Sequence, residues 1–103
     1  MKLPSEKCLL LIYTPPALEE TLVDWLLEND QISGFSSTEA NGHGQRPSGL
    51  TLFEQVTGRQ RRIQFTIETQ AALISTLLES LSHKFQGVGL HYMVIPLLDS
   101  GRF

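Results

Sequence analysis

The sequence predicts an α+β fold built from four strands and two helices in the order strand, helix, strand, strand, helix, strand. Two segments carry leucine at every fourth position, which is the spacing of one helix face. Apolar or alternating runs lie before, between and after these segments, as expected of strands. This order is typical of a split β-α-β-β-α-β unit, in which an antiparallel four-stranded sheet carries both helices on one face. A chain of 103 residues, 41% hydrophobic, is predicted to form a single domain over residues 1–103.

The first strand and the first helix are predicted from residues 8–28. Residues 8–13 form a continuous apolar run, which indicates a strand buried on both faces with Cys8 as a core residue. Thr14 precedes Pro15, and a capping hydroxyl before a proline predicts the start of a helix. The helix is predicted over residues 15–28, with an apolar stripe that contains Leu18, Leu22 and Leu26.

A weak second strand and a long loop are predicted next. The strand is expected over residues 32–40, with Gly34 as a bulge or a close backbone approach. Residues 41–49 contain three glycines and a proline, which leave no continuous helix or strand ladder. The polar region extends to residue 62, and residues 50–56 fit either a helical turn or an extended segment. A loop over residues 41–62 is longer than most structureless connections, so it is predicted to be functional.

The third strand, the second helix and the last strand follow. Alternation after Arg59 predicts a half-exposed strand, whose apolar face contains Ile63, Phe65 and Ile67. Thr69 is the predicted cap of a helix that ends at Gly87. The leucines at every fourth position of this helix are Leu73, Leu77 and Leu81. Residues 90–98 predict a strand that is apolar on both faces, and Pro96 limits it to an edge or a bulge.

The pattern also predicts an oligomer. The first and last strands are apolar on both faces, yet the helices cover only one face of the sheet. The other face would expose leucine, methionine and tyrosine side chains unless a second copy covered it. A closed cyclic homo-oligomer is therefore expected.

Composition and motifs limit the function. The chain lacks a G-x-S-x-G elbow, a Walker loop, a C-x-x-C pair and an H-E-x-x-H motif, so catalysis is not predicted. The formal net charge is -3, and the third strand lacks the aromatic pattern of RNA-recognition modules, so nucleic acid is not an expected partner. No apolar run near the start is long enough for a signal peptide or a membrane span, which favours a cytoplasmic location.

Charge is nevertheless concentrated between residues 40 and 67. This segment contains four of the eight basic residues, all arginines, and one acid, Glu54. The cluster of Arg59, Arg61 and Arg62 fits an anion site, because guanidinium groups match phosphate and carboxylate oxygens. It fits equally well a charged strand edge that prevents aggregation.

The three histidines of the chain have different expected roles. His43, between two glycines, is either a solvated loop residue or a metal or ligand contact. His91, in an apolar strand, is expected in the core or an interface in preference to a ligand role. His83, near a helix end, is expected to interact with the helix dipole. A metal site would have to be assembled in three dimensions from His43 and His91, because no two histidines have the spacing of a preformed motif.

Several short pieces of the chain resemble a known family. They are Pro-Pro-Ala-Leu-Glu-Glu at 15–20, Asn-Gly-His-Gly at 41–44 and His-Tyr-Met-Val-Ile-Pro at 91–96. The chain is similar to the ferredoxin-like trimers related to nitrogen-regulatory PII proteins and copper-tolerance CutA proteins. It resembles most an uncharacterised proteobacterial branch of them that is often encoded beside heavy-metal efflux pumps.

The resemblance implies a homotrimer that binds effectors in clefts between subunits and contacts transporters or enzymes through the long loop. Asn41, Gly42, His43 and Gly44 would then belong to this loop. The turn containing Gly87 and Gly89 would correspond to the PII turn that wraps nucleotide phosphates, and Arg102 to a basic residue of the PII C-terminal segment. Leu90 and His91 follow the second glycine where PII proteins have lysine, and no cofactor is specified.

These features together predict a PII-like regulatory protein. A small anionic ligand or a metal ion is expected to bind between subunits beneath the loop, contacted by the arginine cluster, the glycine turn and His43. The loop, mobile without ligand over residues 41–49, would present a surface to a partner, expected to be a membrane transporter or efflux component. The alternative is a CutA-like protein that binds divalent or copper ions through His43 and His91.

Overall fold

The computed structural model describes residues 6–32, 34–43 and 59–103. Its elements are the strands β1 (Lys7–Thr14), β2 (Phe35–Gly42), β3 (Gln60–Gln70) and β4 (His91–Pro96), with helix α1 (Glu19–Glu28) after β1 and helix α2 (Ile74–Phe85) after β3. A 3-10 turn precedes each helix, Pro16–Leu18 before α1 and Ala71–Leu73 before α2. The predicted order of strands and helices is confirmed. The predictions for Gly44 and for residues 45–58 lie outside the described residues.

The four strands form one antiparallel sheet in the order β2-β3-β1-β4. Leu10 in β1 lies opposite Ile67 in β3 and opposite Val94 in β4. The strands β3 and β1 are therefore central, and β2 and β4 form the two edges. Pro96 ends an edge strand, where a residue without an N–H group is tolerated. The predicted α+β fold with both helices on one face is confirmed.

The core fills the space between this helix-covered face and the two helices. Its members from the sheet are Cys8, Leu10, Ile12, Ile63, Phe65 and Ile67. Its members from the helices are Leu22, Leu26, Ile74, Leu77, Leu81 and Phe85. The alternation of buried positions in β1 and β3 matches the period of two that a half-covered sheet requires. The prediction that Cys8 is a core residue is confirmed, and its burial raises the pKa of the thiol.

Both predicted helix caps are wrong. Thr14 is the last residue of β1, and its Oγ1 donates a hydrogen bond to the Pro15 carbonyl oxygen at 3.3 Å instead of accepting one from a helix N–H group. Thr69 lies inside β3, opposite Cys8, and the following turn begins after Gln70. Both threonines remain in the sheet because their backbones pair with a neighbouring strand, Thr14 with Ile63 and Thr69 with Cys8.

The hairpin of β2 and β3 is longer than the sequence predicted. Its ladder begins with Phe35 opposite Ile67 and ends with Gly42 opposite Gln60. The segments 41–42 and 60–62 were expected in the loop, but they are paired strand residues. Backbone groups make the ladder bonds, so polar side chains and glycine can join it. Gly34 lies before β2, and among the described residues no atom lies within 4 Å of a Cβ built on it, so none of them makes the close approach that was one of the two expectations for this glycine.

The sheet face opposite the helices is divided into an apolar half and a polar half. We call it the open face. Its apolar half contains Leu9, Leu11 and Tyr13 of β1 and Met93 and Ile95 of β4, paired as Leu9 with Ile95 and Leu11 with Met93. Met93 is 40% exposed and Ile95 is 42% exposed. Its polar half lies on β3 and β2, where Glu68 forms an ion pair with Lys7 at 3.7 Å. The prediction of an apolar open face is confirmed for β1 and β4.

Candidate functional site

Most of the predicted site residues lie at one end of the sheet. At this end, which we call the loop end, β1 and β2 finish while β3 and β4 begin. The register places Thr14 opposite Ile63, and Asn41 opposite Arg61. His43 follows β2 directly, and Arg59 precedes β3 directly, both exposed. The connection from β2 to β3 therefore leaves and returns at the loop end.

A polar cleft of about 220 Å³ lies at the root of this connection. It is lined by Pro16, Glu39, Ala40, Asn41, Arg61, Arg62 and Ile63. The pleat places Glu39, Asn41 and Arg61 on the helix-covered side of the sheet, since they pair with or alternate with the buried Ile63. An amide, a guanidinium and a carboxylate thus border the same small space, which suits a ligand with both an anionic group and a hydrogen-bond donor.

Arg62 borders the polar cleft from the other side of the sheet. It pairs with Ala40, and the alternation of β3 directs its side chain to the open face. A Cβ built on Gly42 would lie 3.8 Å from Arg62 Cγ and 3.4 Å from the Gln60 carbonyl oxygen. These are ordinary van der Waals distances, so the aliphatic part of Arg62 lies close to position 42 without requiring glycine there.

The glycine turn at the end of α2 has a backbone that requires glycine. Gln86 has φ -61° and ψ 132°, Gly87 has φ 79°, and the Val88 N–H group donates to the Phe85 carbonyl oxygen at 3.4 Å. This is a type II β-turn, whose third residue has positive φ. Gly89 also has positive φ, at 89°. The helix ends at Phe85 with Gln86 as its C-cap, so Gly87 lies just past the cap, where the sequence predicted a glycine that stops the helix.

Beside this turn lies an apolar cleft of about 270 Å³ between α2 and β4. Its lining residues are Ile12, Leu78, Leu81, Ser82, Phe85, Gln86, Gly87, Gly89, Leu90 and Tyr92. None of the described residues lines both this cleft and the polar cleft. The polar cleft is lined from β2 and β3, whereas the apolar cleft is lined from β1, β4 and α2, so the two clefts lie on different parts of the loop end.

The histidines do not meet. His91 is exposed on the open face, where its ring centroid lies 6.2 Å from that of Tyr13, so its alternative placement in the core is wrong. His43 lies past the end of β2 on the far edge of the sheet. His83 lies in the last turn of α2, as predicted. Across residues 6–32, 34–43 and 59–103, no three His, Cys, Asp or Glu side chains are grouped to hold a metal ion.

Arg102 lies apart from the other predicted residues. The Leu97 N–H group donates to the Lys7 carbonyl oxygen at 3.0 Å, and Lys7 Nζ donates to Ser100 Oγ at 3.4 Å. Lys7 begins β1, so these bonds hold the chain before Arg102 at the end of the sheet opposite the loop end. Within one copy, the arginine cluster, the glycine turn and Arg102 occupy three separate places.

The sequence did not single out several residues that line the clefts. Glu39 and Pro16 border the polar cleft, and Ser82 and Tyr92 border the apolar cleft. The alternation Glu39, Asn41 in one strand and Arg61, Ile63 in the next was a usable signal, because paired strand residues share a face. Ser82 and Tyr92 come together only because α2 packs beside β4 in the folded protein, and no local sequence pattern indicates this packing.

Several solved structures share this fold. A crystal structure of a DUF3240 family protein from Shewanella baltica has a TM-score of 0.79 at 23% identity, over 96% of this chain and 98% of that chain. The periplasmic divalent cation tolerance protein CutA from Archaeoglobus fulgidus has a TM-score of 0.70 at 9% identity, over 93% and 88%. A putative PII-like signalling protein from Thermus thermophilus has 0.61 at 19% identity, over 87% and 85%.

These likenesses show the fold shared by CutA and PII-like proteins, which confirms the predicted relation at the level of fold. Residues 4–103 also match the family described as a protein of unknown function, DUF3240. The match spans nearly the whole chain, and the protein belongs to this family. No curated protein matches the sequence. Neither of the two described helices, of 10 and 12 residues, is long and apolar enough to cross a membrane.

Proposed function

We propose that this protein is a PII-like regulator that binds a small anionic ligand in the polar cleft and thereby alters the β2 to β3 connection offered to a partner. The position of the cleft carries the proposal. Its walls include Asn41, two residues before the connection leaves the described part of the hairpin, and Arg61, which follows its return. A ligand bound there would contact both ends of the connection.

The chemistry of the cleft favours an anion with an additional donor group. The guanidinium of Arg61 can donate two parallel hydrogen bonds to a carboxylate or a phosphate, and the Asn41 amide can donate or accept. Glu39 borders the same cleft and would repel a ligand that carries negative charge alone. A hydroxyl or amine on the ligand would satisfy this carboxylate.

The mechanism is a shift between states of the connection. The mechanism requires that the connection from β2 to β3 adopts more than one conformation. A ligand in the polar cleft stabilises the conformations in which both Asn41 and Arg61 contact the ligand. The shift cannot exceed the difference in affinity of the ligand for the two states. The partner would bind the connection in one of these states, and the resemblance to PII proteins suggests a membrane transporter or an efflux component. A cytoplasmic location remains part of the proposal.

A homotrimer completes the proposal. The apolar half of the open face, formed by β1 and β4, lies at an exposed surface where a second copy can cover it. We propose that this association also brings the polar cleft of one copy beside the Gly87–Gly89 turn of the next. The arginine cluster and the Gly87–Gly89 turn, separate within one copy, could then contribute to one site.

Charge reversal at Arg61 tests the ligand site. A thermal-shift screen of nucleotides, small dicarboxylates and metal ions first identifies ligands, since a ligand that binds only the folded state raises the melting temperature. We expect Arg61→Glu to weaken the best anionic ligand about tenfold or more, because hydrogen bonds to charged groups contribute about 1.5–3 kcal/mol. Calorimetry measures the affinity.

Lys84→Glu is the matched control, because Lys84 is exposed and lines neither cleft, and the substitution changes the net charge equally. It should leave the affinity within about twofold. If the wild type and Arg61→Glu bind the ligand with equal affinity, the polar cleft is not the ligand site. Equal loss in both variants would indicate a general charge effect, which also contradicts the proposal.

Divalent metal binding, as in the name of the CutA protein, is the second candidate. His43 is exposed beside the hairpin, and the exposed His91 lies on the open face, so a site built from both would need two copies. Calorimetry with copper and zinc ions decides between the candidates. Stoichiometric uptake that is lost in both His43→Ala and His91→Ala would favour the metal-binding function, whereas uptake unaffected by either variant would reject these ligands.

A further inference from the structure

The polar cleft has groups of opposite charge on neighbouring strands. Glu39 in β2 and Arg61 in β3 both border it. Glu39 lies opposite Ile63, and Asn41 lies opposite Arg61, so Glu39 and Arg61 are diagonal neighbours on the helix-covered side of the sheet. Diagonal neighbours on one face are about 7–8 Å apart, a distance that long side chains can span. The cleft therefore offers a carboxylate, an amide and a guanidinium within the length of one small molecule.

We propose that the ligand of this cleft is a free α-amino acid, bound through its ammonium group to Glu39 and through its carboxylate to Arg61. This inference rests on the function proposed above and names the class of ligand for the same site. An α-amino acid has both charged groups on one carbon atom, so it can contact Glu39 and Arg61 at the same time. The Asn41 amide can donate to the carboxylate or accept from the ammonium group.

The charges of the cleft favour this class over other small ions. A simple carboxylate or a phosphate would pair with Arg61 but would be repelled by Glu39. A simple amine would pair with Glu39 but would be repelled by Arg61. A molecule with both charges pairs with both residues, and hydrogen bonds between charged groups are stronger than those between neutral groups.

The size of the cleft also favours an amino acid. Its volume is about 220 Å³, which is below the range of about 300–1,000 Å³ that is usual for pockets of drug-sized ligands. An amino acid is smaller than such ligands, whereas a nucleotide is not. Pro16 and Ala40 also line the cleft, and their apolar atoms can contact the aliphatic carbons of a small amino acid.

Matched analogues of the ligand test its class. A thermal-shift screen with the standard L-amino acids identifies the one that raises the melting temperature most. Calorimetry then compares this amino acid with its deaminated acid and its decarboxylated amine, which for L-alanine are propionate and ethylamine. We expect the amino acid to bind about tenfold or more tightly than either analogue, because each analogue lacks one of the two charged contacts.

The variant Glu39→Gln tests the contact with the ammonium group. Glutamine keeps the size of the side chain but removes its charge. The variant should bind the amino acid about tenfold more weakly and should bind the deaminated acid more tightly, since the repulsion is removed. Changes of opposite sign for the two compounds cannot result from a general loss of folding.

Glu79→Gln is the matched control, because Glu79 is exposed on α2 and lines neither cleft. It should bind both compounds as the wild type does. The inference is overturned if no amino acid raises the melting temperature, if the deaminated acid binds as tightly as the amino acid, or if the preference persists in Glu39→Gln. The function proposed above would still hold in these cases if another anion lost affinity in Arg61→Glu. If Arg61→Glu weakens the binding of no ligand, both proposals fail.

Discussion

Thr14 and Thr69 are the two polar side chains that are buried in the described part of the chain. They differ in what their hydroxyl groups contact. Thr14 Oγ1 donates to the Pro15 carbonyl oxygen, whereas Thr69 Oγ1 has no hydrogen-bond partner among the described residues. A buried hydroxyl without a partner has lost its bonds to water without replacing them, which costs free energy. The helix-covered face of β3 therefore contains one destabilising group.

Replacing this hydroxyl should stabilise the protein. We expect Thr69→Val to raise the free energy of unfolding by about 1 kcal/mol, because a methyl group needs no partner in that position. Thr14→Val should lower it by about 0.5–1.5 kcal/mol, since a bonded hydroxyl is lost. Urea unfolding of both variants measures the two changes. A loss of stability in Thr69→Val similar to that in Thr14→Val would mean that the Thr69 hydroxyl has a partner.

The sequence predicted which residues are buried better than which residues begin a helix. Leu22, Leu26 and Leu77 were placed correctly, because a repeat of apolar positions marks a buried face directly. Thr14 and Thr69 were assigned as caps because their local sequence fits a cap. The partner strands that keep them in the sheet are distant in sequence, so no local pattern could reveal this outcome.

At the scale of elements, the turn between α2 and β4 is set by glycine. The type II turn places Gly87 at φ 79°, a region that costs residues with a Cβ atom about 1–2 kcal/mol. Within the part of the chain that the structure describes, no neighbouring atom lies within 4 Å of a Cβ built there. The requirement for glycine is therefore conformational rather than steric, and it holds the wall of the apolar cleft in position.

A single substitution tests this requirement. We expect Gly87→Ala to lower the free energy of unfolding by about 1–2 kcal/mol. Gly101→Ala is the control, because Gly101 has no positive φ and also has open space around it, and it should be neutral. Thermal unfolding measures both variants. A neutral Gly87→Ala would show that the turn can adopt another conformation at little cost.

In the β2–β3 hairpin, the sequence predicted the apolar part of the strands but not their polar ends. The part of β3 from Ile63 to Glu68 alternates strongly and was assigned correctly. Asn41, Gly42 and Arg61 were assigned to the loop, because their side chains show no apolar alternation, yet they are paired. Register is set by the partner strand and by the hydrophobic face further along, so the polar end of a hairpin is defined only in the folded sheet.

For the whole molecule, strand order determines which candidate site residues meet. The sequence grouped Arg59, Arg61, Arg62, His43 and the glycine turn into one site. The order β2-β3-β1-β4 places the arginines and the turn on different sides of β1. This separation cannot be inferred from the composition of the chain or from the spacing of residues along it. The exposed apolar half of the open face, which the sequence did predict, is the feature that can join these parts across copies.

Introducing a charge on the open face tests the proposed trimer. Met93 lies opposite Leu11 on an edge strand and is 40% exposed, so the isolated copy tolerates a polar group there. In a trimer that covers this face, Met93→Glu would bury a carboxylate without a partner, at a cost of several kcal/mol. We expect sedimentation equilibrium to show a trimer for the wild type and a folded monomer for Met93→Glu.

The control for this experiment lies on the other face of the sheet. Ser37 in β2 is exposed and pairs with the core residue Phe65, so its side chain points away from the open face. Ser37→Glu adds the same charge and should remain trimeric. A wild type that sediments as a monomer at micromolar concentration would exclude the trimer. A Met93→Glu variant that associates as the wild type does would show that copies meet through another surface, because an interface on the apolar half cannot accept the charge without loss of affinity.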